Sequence, residues 1–366
     1  MVETVHQPDP QVLEWLSPLV ASARWEPWVN HGGFSGARLW RGRLAHAANE
    51  SWSTDLLSAS HSGRFEPASE FCLRAWPARH PDDQRLAWIH ERLGKARHLG
   101  VLAVPIPGRD GRTFLVTKEA RWELAEWLPG TPAPLGQATS EQVQAALATV
   151  ACLHEAWSDE RTEPRVPPAW LDRRHLLDQW LDPTEPPLRR IHEAQPRADW
   201  LATETTSLRV RIGELLQWFL PVAERLVDRW EGSLWPLQPV LRDLWSDHVL
   251  FSKDVRVTGI LDYGAMRFDT VATDLGRLVG SLVGDRDQSW SLAAASYERS
   301  LKTGRLDASL WRFARDLEFV GLGLGIANWA RWIWLDRRDF PDPDAVIARL
   351  LGQLDRLAAI KATGAR

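Results

Sequence analysis

Short apolar segments with the pattern of β-strands dominate the first third of the chain. Between the last two of them lies one helical pattern, in which Leu86, Ile89 and Leu93 fall on one face. This part is therefore predicted to form a small sheet with a single helix, and the polar residues 45–69 are predicted to form a long connection. The strand-like segments are ARLWRGRL, FCLRAWP and RTFLVTK.

Helical patterns dominate the rest of the chain. Thr139 or Ser140, followed by Gln142, predicts the capped start of a helix. Only VLF and VTGILDY look like strands here, which predicts a hairpin set among helices. The Pro- and Gly-rich segment WLPGTPAPLG separates the two parts. The chain is therefore predicted to form an N-terminal lobe over residues 1–128 and a helical lobe over residues 129–366.

Composition and charge narrow the classes of function. The chain has 366 residues, an apolar content of 44% and a formal net charge of -4, so it lacks the basic field that attracts nucleic acids. It shows no signal-peptide pattern and no apolar run long enough to span a bilayer. Cys72 and Cys152 are too few for a disulfide framework, and both are expected to be buried. We expect a cytoplasmic protein that acts on a small molecule, with no nucleic-acid or membrane partner.

Two aspartates at the edges of the predicted hairpin are the main candidates for chemistry. Asp243 stands five residues before His248, ahead of the first hairpin strand, and Asp262 follows the second strand in a DYG turn. Either aspartate alone is better explained as the cap of a turn. The two together, with their strands and the downstream TDLGRL, favour a functional site.

These residues resemble the aminoglycoside phosphotransferase and choline kinase-like family. The catalytic loop of that family runs His-Gly-Asp, four residues, then Asn, and its metal-binding aspartate lies in an Ile-Asp-Phe-Gly-like turn. The segment TVATDLGRL resembles the family's Asp-Leu-Ala-Arg-Leu segment and marks Asp274 as a structural acid. The resemblance implies an α+β, protein-kinase-like fold with a small antiparallel-sheet lobe and a larger helical lobe.

The activity implied by the resemblance is that of a small-molecule kinase. Such an enzyme transfers the γ-phosphate of ATP or GTP to a hydroxyl group of a small metabolite or an aminoglycoside-like substrate. Asp243 would orient the hydroxyl group, and Asp262 would hold Mg²⁺, with Mn²⁺ as an alternative.

The resemblance also assigns residues to the nucleotide. HGGFSGARLW supplies a glycine-rich turn whose N–H groups can approach phosphates. Arg74 stands where the family has a phosphate-contacting lysine, and Asp82 on the following helix is expected to be its acidic partner. RWELAEWLPG resembles the hinge that binds the base. The residues expected to bind the nucleotide are Gly32, Gly33, Ser35, Gly36, Arg74, Asp82, Glu123, Glu126 and Trp127.

The chain departs from the family pattern in its catalytic loop. Leu241 and Arg242 replace the histidine and glycine, and His248 replaces the metal-binding asparagine. His248 could bind a softer cation, since imidazole suits such ions better than Mg²⁺; it could also hydrogen-bond a phosphate or simply pack in a turn. These changes keep open an alternative function, a nucleotide-binding pseudokinase or regulatory binding module, which would show no turnover dependent on Asp243.

Overall fold

The computed structural model of the chain describes most of the sequence, in seven stretches. Gly32, Gly33, Ser35 and nearly all of the connection predicted over residues 45–69 lie outside them. Within the described part of the chain, no helix combines the length and apolar character needed to cross a membrane. The described residues are 7–28, 36–44, 69–184, 186–194, 202–302, 306–340 and 342–364.

The five-stranded sheet lies in the N-terminal third and most helices in the remainder, as the sequence patterns predict. The prediction of a single helix in the N-terminal part is wrong, because two short helices precede the first strand. The strands are β1 (Arg24–Trp28), β2 (Arg38–Arg43), β3 (Glu70–Pro77), β4 (Leu115–Val116), β5 (Ala120–Glu126), β6 (Thr131–Pro132), β7 (Gln238–Val240), β8 (Val249–Phe251), β9 (Val257–Ile260) and β10 (Arg267–Asp269). The helices are α1 (Pro10–Trp15), α2 (Pro18–Ala21), α3 (Asp83–Lys95), α4 (Ser140–Ala156), α5 (Pro168–Leu181), α6 (Pro187–Glu193), α7 (Ala202–Arg229), α8 (Ala272–Val283), α9 (Asp287–Ser300), α10 (Ala308–Ala330) and α11 (Pro343–Thr363).

The N-terminal sheet has five antiparallel strands in the order β1-β2-β3-β5-β4. Alternate residues of β3 face a core that also contains Trp25, Trp40 and Leu124. Helix α3 follows β3 and begins at an aspartate cap, because the Asp82 Oδ1 atom accepts a hydrogen bond from the Arg85 N–H at 2.7 Å. On α3, Leu86, Ile89 and Leu93 are buried, which confirms the predicted apolar face.

The helical part has its own, larger core. Helix α10 packs against α5, α7, α8 and α11, and α4 packs against α9. Thr139 and Gln142 form the predicted capping box at the start of α4, each side chain accepting a hydrogen bond from the other residue's N–H. One expectation about this region is wrong: Cys152 is exposed, since it lies on the outer face of α4.

Two short sheets position the predicted hairpin among the helices. Strands β8 and β9 form the expected antiparallel hairpin, to which β6 adds a third strand. Strands β7 and β10 form a second, two-stranded sheet. The segment that follows α3 is joined to the hairpin, because the Ile260 N–H donates to the Val101 carbonyl at 2.8 Å. The loop from Leu241 to His248 is thereby held between β7 and β8.

Candidate active site

The two ends of the hairpin bring three sequence-predicted residues together. Asp243 lies in the loop before β8, His248 immediately precedes β8, and Asp262 lies just beyond β9. One ligand atom from each side chain lies within 4.8 Å of the other two. The closest ion-pair approach between His248 and Asp262 is 3.8 Å, from Nε2 to Oδ2. Two carboxylates and an imidazole at this spacing can together hold one divalent cation.

The backbone is left-handed at Asp262 and at Arg242, the residue before Asp243. Arg242 has φ 66° and Asp262 has φ 61°, a region that costs a non-glycine residue about 1–2 kcal/mol. Hydrogen bonds hold the Asp262 turn in place: the neighbouring Tyr263 hydroxyl donates to the Ile260 carbonyl and accepts from the Ala103 N–H at 2.7 Å. The strained turn is therefore anchored both to β9 and to the segment after α3.

The hydrogen bonds of His248 define its protonation. Its Nδ1 atom lies 2.7 Å from the Asp243 carbonyl oxygen, which can only accept, so Nδ1 carries the proton. The Trp245 indole N–H, which can only donate, reaches the His248 Nε2 atom at 2.9 Å. His248 is therefore neutral, and the lone pair that faces Asp262 accepts a hydrogen bond from Trp245.

Asp243 is held in its ionised form by an arginine from α8. Burial opposes ionisation, but the surrounding positive charges, of which Arg277 contributes most, together keep the pKa of Asp243 below its ordinary value. The Arg277 Nη2 atom donates to the Asp243 Oδ1 atom at 3.3 Å. No pattern in the sequence marks this arginine as a partner of Asp243, because the two residues are 34 positions apart.

Asp274 fixes the backbone of the loop, as expected of a structural acid. It is fully buried at the start of α8 and accepts hydrogen bonds from the N–H groups of Leu241 and Arg242 at 2.8 and 2.6 Å. His154 of α4 contacts the same carboxylate at 3.1 Å and the Tyr297 hydroxyl at 2.8 Å. No sequence pattern identifies His154 or Tyr297, because they meet Asp274 only through helix packing.

The Arg242 side chain makes a second anchor for the loop. Its guanidinium forms ion pairs with Asp172 of α5 at 2.6 Å and with the fully buried Asp269 of β10 at 3.2 Å. Burial raises the pKa of Asp269 to about 6, although the charge of Arg242 opposes that shift. Arg242 therefore has a structural role at the position where the resembled family has glycine.

Arg74 lies on β3 and pairs with a strand residue instead of the predicted helix residue. Its partner is Glu123, directly opposite on β5, at 3.2 Å from Nη1 to Oε1. Glu123 also contacts the His90 Nε2 atom of α3 at 2.8 Å. The prediction that Asp82 pairs with Arg74 is wrong, because the Asp82 carboxylate caps α3. Glu123 was expected at the hinge; its side chain instead forms the ion pair with Arg74.

The Arg74–Glu123 pair lies close to the hairpin site. Burial opposes the charged form of Arg74, yet the charge of Glu123, with smaller contributions that include the charge of Asp262, raises its pKa above the ordinary value. Arg74 also lies over the Trp76 ring, 4.8 Å from its centroid. A permanent cation is thus placed on the sheet side of Asp262, where the resemblance expects contact with the nucleotide phosphates.

The remaining predicted nucleotide residues are only partly placed. Glu126 ends β5 and Trp127 follows it, with the Trp127 N–H donating to the Glu70 carbonyl at 3.0 Å. The Trp127 ring packs edge-on against the Trp28 ring at 4.9 Å. Gly36 has φ 73° just before β2, a conformation that favours glycine. Gly32, Gly33 and Ser35 lie outside the described residues.

A cavity of about 450 Å³ adjoins Asp243 on the side of the helices; we name it the Asp243 cavity. Residues from α5, α8, α10 and α11 line it, together with the loop that carries Asp243. It is large enough for a small organic molecule. A hydroxyl group bound here would lie beside the Asp243 carboxylate.

Comparisons of the sequence with known proteins identify its family. The model of the phosphotransferase enzyme family (APH) matches residues 56–317, more than half of the chain. No curated protein has a significant sequence match to the chain.

Solved structures share the fold at low identity. Spectinomycin phosphotransferase APH(9)-Ia, in complex with ADP and spectinomycin, has a TM-score of 0.56 and 11% identity over 92% of this chain and 88% of that chain. An aminoglycoside phosphotransferase from Alicyclobacillus acidocaldarius has a TM-score of 0.56 and 13% identity over 99% of this chain and 98% of that chain. Amicoumacin kinase hAmiN, in complex with AMP-PNP, Ca²⁺ and Ami, has a TM-score of 0.55 and 11% identity over 95% and 93%.

The solved structures show the fold of the chain, and the family match shows its kind of activity. At these identities the solved structures show the fold, which is the protein-kinase-like fold predicted from the sequence. The family match shows the kind of enzyme, a phosphotransferase that acts on a hydroxyl group of a small molecule. The chain belongs to the phosphotransferase enzyme family.

Proposed function

We propose that the protein transfers the γ-phosphoryl group of ATP or GTP to a hydroxyl group of a small metabolite or an aminoglycoside-like molecule. The observation that carries this proposal is the convergence of Asp243, His248 and Asp262 within 4.8 Å at the open end of the hairpin. Phosphoryl transfer requires mainly that the acceptor is positioned and that phosphate charge is neutralised. A carboxylate beside a cavity and a second carboxylate beside an arginine meet these requirements.

Asp243 is the residue that would act on the acceptor. Its carboxylate is ionised, and it borders the Asp243 cavity. It would accept a hydrogen bond from the hydroxyl group and take its proton as the oxygen bonds to the γ-phosphorus. The bond between that phosphorus and the bridging oxygen breaks at the same time, and the nucleoside diphosphate leaves. Arg277 keeps Asp243 in place and ionised.

Asp262 is the preferred ligand for a divalent cation, with His248 as a second ligand. The donor set fits such an ion, since carboxylate oxygen suits Mg²⁺ and Mn²⁺, and a neutral imidazole can also bind softer divalent ions. When bound, the cation would neutralise charge on the nucleotide phosphates. Arg74 would add a fixed positive charge from the sheet side.

The two predicted lobes would have different functions, one in nucleotide binding and the other in catalysis and acceptor binding. Residues 1–128 would bind the nucleotide, with Gly36 and Arg74 near the phosphates and Glu126 and Trp127 near the base. Residues 129–366 would supply the catalytic loop and the acceptor cavity. A nucleotide donor also fits the cytoplasmic location expected from the sequence.

One observation supports the alternative of a nucleotide-binding pseudokinase. The Trp245 indole occupies the His248 lone pair that a metal would need. If that hydrogen bond persists when nucleotide is present, Asp262 has no imidazole partner for the metal. The alternative shares nucleotide binding with the proposal and lacks the transfer step.

A paired mutagenesis experiment tests the proposal. Calorimetry measures the binding of ATP and GTP, each with Mg²⁺ and with Mn²⁺, to the wild type, Asp243→Asn and Asp262→Ala. The same proteins are assayed for transfer from γ-labelled nucleotide to a library of hydroxylated small molecules. The control is Asp254→Asn, because Asp254 is an exposed residue in the turn between β8 and β9.

The Asp243 and Asp262 variants should differ in nucleotide binding and in transfer rate. Asp262→Ala should remove metal-dependent nucleotide binding. Asp243→Asn should leave the Kd of the nucleotide within a few fold and lower the transfer rate by about 10²–10⁴-fold, the usual contribution of a positioned base. Asp254→Asn should match the wild type. Metal-dependent nucleotide binding without transfer to any acceptor would favour the pseudokinase. Metal-dependent nucleotide binding that is unchanged in Asp262→Ala would refute the metal assignment.

A further inference from the structure

Helix α3 is hydrogen-bonded to the segment that follows Asp262. Arg85 lies in the first turn of α3, and its Nη2 atom donates to the Met266 carbonyl and, at 3.4 Å, to the Ala265 carbonyl. Both carbonyls lie within four residues of Asp262 in the sequence. A hydrogen bond from a charged donor is stronger than one between neutral groups. Arg85 therefore joins a helix of the N-terminal half to the segment that carries the proposed metal ligand.

The segment that accepts these hydrogen bonds is a tight turn. The Met266 N–H donates to the Tyr263 carbonyl at 2.9 Å, which closes the turn directly after Asp262. One side of the turn lies against the sheet, because a side-chain carbon at Gly264 would lie 3.0 Å from the Trp76 ring. Close packing leaves such a turn little room to shift. A contact at its end therefore also restrains Asp262 at its beginning.

Electrostatic attraction does not account for the position of Arg85. Burial, followed by the charges of Arg267 and Arg242, lowers the pKa of Arg85 below its ordinary value, and the charge of Asp82 opposes this shift. The Arg85 Nε atom is buried and has no hydrogen-bond partner in the described part of the chain. The guanidinium thus lies where burial and like charges disfavour it. The two carbonyls of the turn and the Trp88 ring, 5.6 Å away, hold it there.

The same helix also reaches the residue that is proposed to contact the phosphates. His90, five residues after Arg85 on α3, contacts the Glu123 carboxylate at 2.8 Å, and Glu123 pairs with Arg74 at 3.2 Å. Helix α3 is thus connected to Arg74 through one side chain and to the Asp262 turn through another. A rigid helix with contacts to both groups can fix their relative positions.

We propose that Arg85 is a positioning residue for the metal site, and that α3 uses it to place Asp262 relative to Arg74. This role rests on the proposed function, in which Asp262 holds the cation and Arg74 contacts the phosphates. Without Arg85, Asp262 occupies the binding arrangement for a smaller fraction of the time, and the apparent affinity for the cation falls by that fraction. Nucleotide that binds without metal does not use Asp262. Arg85 therefore sets how strongly the metal and the nucleotide favour each other's binding.

The coupling between metal and nucleotide measures this role. Calorimetry gives the Kd of ADP with and without Mn²⁺, and the ratio of the two values is the coupling factor. Titration followed by electron paramagnetic resonance gives the Kd of Mn²⁺ in the presence of ADP. ADP has no γ-phosphoryl group, so no transfer occurs during the measurement. The variants are Arg85→Met, which removes the donors and keeps an apolar stem, and Arg85→Lys, which keeps one charged donor group.

The matched control is Arg92→Met. Arg92 lies on the same helix, and its Nη2 atom donates to the Glu160 carboxylate at 2.6 Å, so it also joins α3 to the helical half of the chain. Its ion pairs include no residue of the turn after Asp262. Arg92→Met should lower the free energy of unfolding in urea and leave the coupling factor within about twofold of the wild-type value, since distant sites act independently.

Arg85→Met should lower the coupling factor by about tenfold or more and raise the Kd of Mn²⁺ by a similar factor, the effect of losing a charged hydrogen bond. The Kd of metal-free ADP should stay within about twofold of the wild-type value, because that complex does not depend on Asp262. Arg85→Lys should give an intermediate coupling factor. This second variant tests the role of Arg85 even where Arg85→Met does not fold.

The remaining outcomes separate a failure of this role from a failure of the proposed function. A coupling factor that is unchanged in both Arg85 variants refutes positioning by Arg85 and leaves the proposed function standing. An equal loss of coupling in Arg85→Met and Arg92→Met also refutes it, because that result would be a general effect of α3 packing. A wild type in which Mn²⁺ does not strengthen ADP binding, or whose coupling persists in Asp262→Ala, refutes the metal assignment of the proposed function.

Discussion

At the scale of single residues, His248 shows how one substitution changes a site. Its Nε2 atom lies 3.8 Å from the Asp262 Oδ2 atom. The same Nε2 atom accepts a hydrogen bond from the Trp245 indole N–H at 2.9 Å. A metal ligand and a hydrogen-bond acceptor need the same lone pair. Trp245 therefore competes with any cation for His248, and the strength of that competition can be measured.

Removing the indole donor should strengthen metal binding. Trp245→Phe keeps an aromatic face beneath Arg349 and deletes the N–H, so the His248 lone pair becomes free. Since a hydrogen bond contributes about 0.5–1.5 kcal/mol net, Mn²⁺ should bind about 2–10-fold more tightly in the presence of ADP. Titration followed by electron paramagnetic resonance measures this affinity.

The control for this prediction is Trp290→Phe. The Trp290 indole donates to the Gly284 carbonyl, away from the hairpin, so this variant should bind Mn²⁺ as the wild type does. An unchanged affinity in Trp245→Phe would show that His248 is not a metal ligand and acts only in packing the loop.

Residue identities were easier to predict from the sequence than residue pairs. The sequence predicts Asp243, His248 and Asp262 as one site because they flank one hairpin, and local strand pairing is enough to bring them together. The partner of Arg74 was predicted wrongly, since a helical face suggested Asp82. The actual partner, Glu123, depends on the register between β3 and β5, which the pattern of a single strand does not define.

At the scale of elements, α8 supports the catalytic loop through one buried carboxylate. Asp274, at the start of the helix, accepts hydrogen bonds from two loop N–H groups and contacts His154. Nearly every residue of α8 is buried and the helix packs against α10, so these bonds fix the loop to the helical core. The capped start of α4 was predictable from Thr139 and Gln142, whereas the sheet of β7 and β10 was not, because each strand has only three residues.

Replacing this carboxylate should destabilise the fold as well as the site. Asp274→Asn removes the charge and half of the acceptor capacity from a fully buried network. Breaking such a network costs about 3–5 kcal/mol, which urea denaturation of the wild type and the variant would measure. Transfer activity should fall in parallel, because the loop that carries Asp243 loses its anchor.

An exposed carboxylate provides the comparison for Asp274. Asp287 pairs with Arg315 at 2.5 Å on the surface, with 85% of its side chain exposed. Asp287→Asn should change the free energy of unfolding by less than about 1 kcal/mol. Equal losses in the two variants would contradict an anchoring role for Asp274.

At the scale of the whole molecule, the site is built from both halves of the chain. Ile89 and Leu93 of α3 belong to the large helical core, although α3 follows the N-terminal sheet. The segment after α3 bonds to the hairpin at Ile260 and Tyr263. Contacts of this kind couple the sheet to the residues that carry Asp262. A nucleotide that needs both halves should therefore stabilise both together.

Thermal unfolding tests this coupling. Calorimetric scans of the wild type should show one transition, and ATP with metal at 100 times its Kd should stabilise the protein by about 2.7 kcal/mol. For a chain of this size that corresponds to a rise in Tm of about 3–5 °C. Asp262→Ala should show no rise, because the shift requires metal-dependent binding. Two transitions, of which nucleotide moves only one, would mean that the halves unfold independently and that the contacts of α3 with the helical core do not join them.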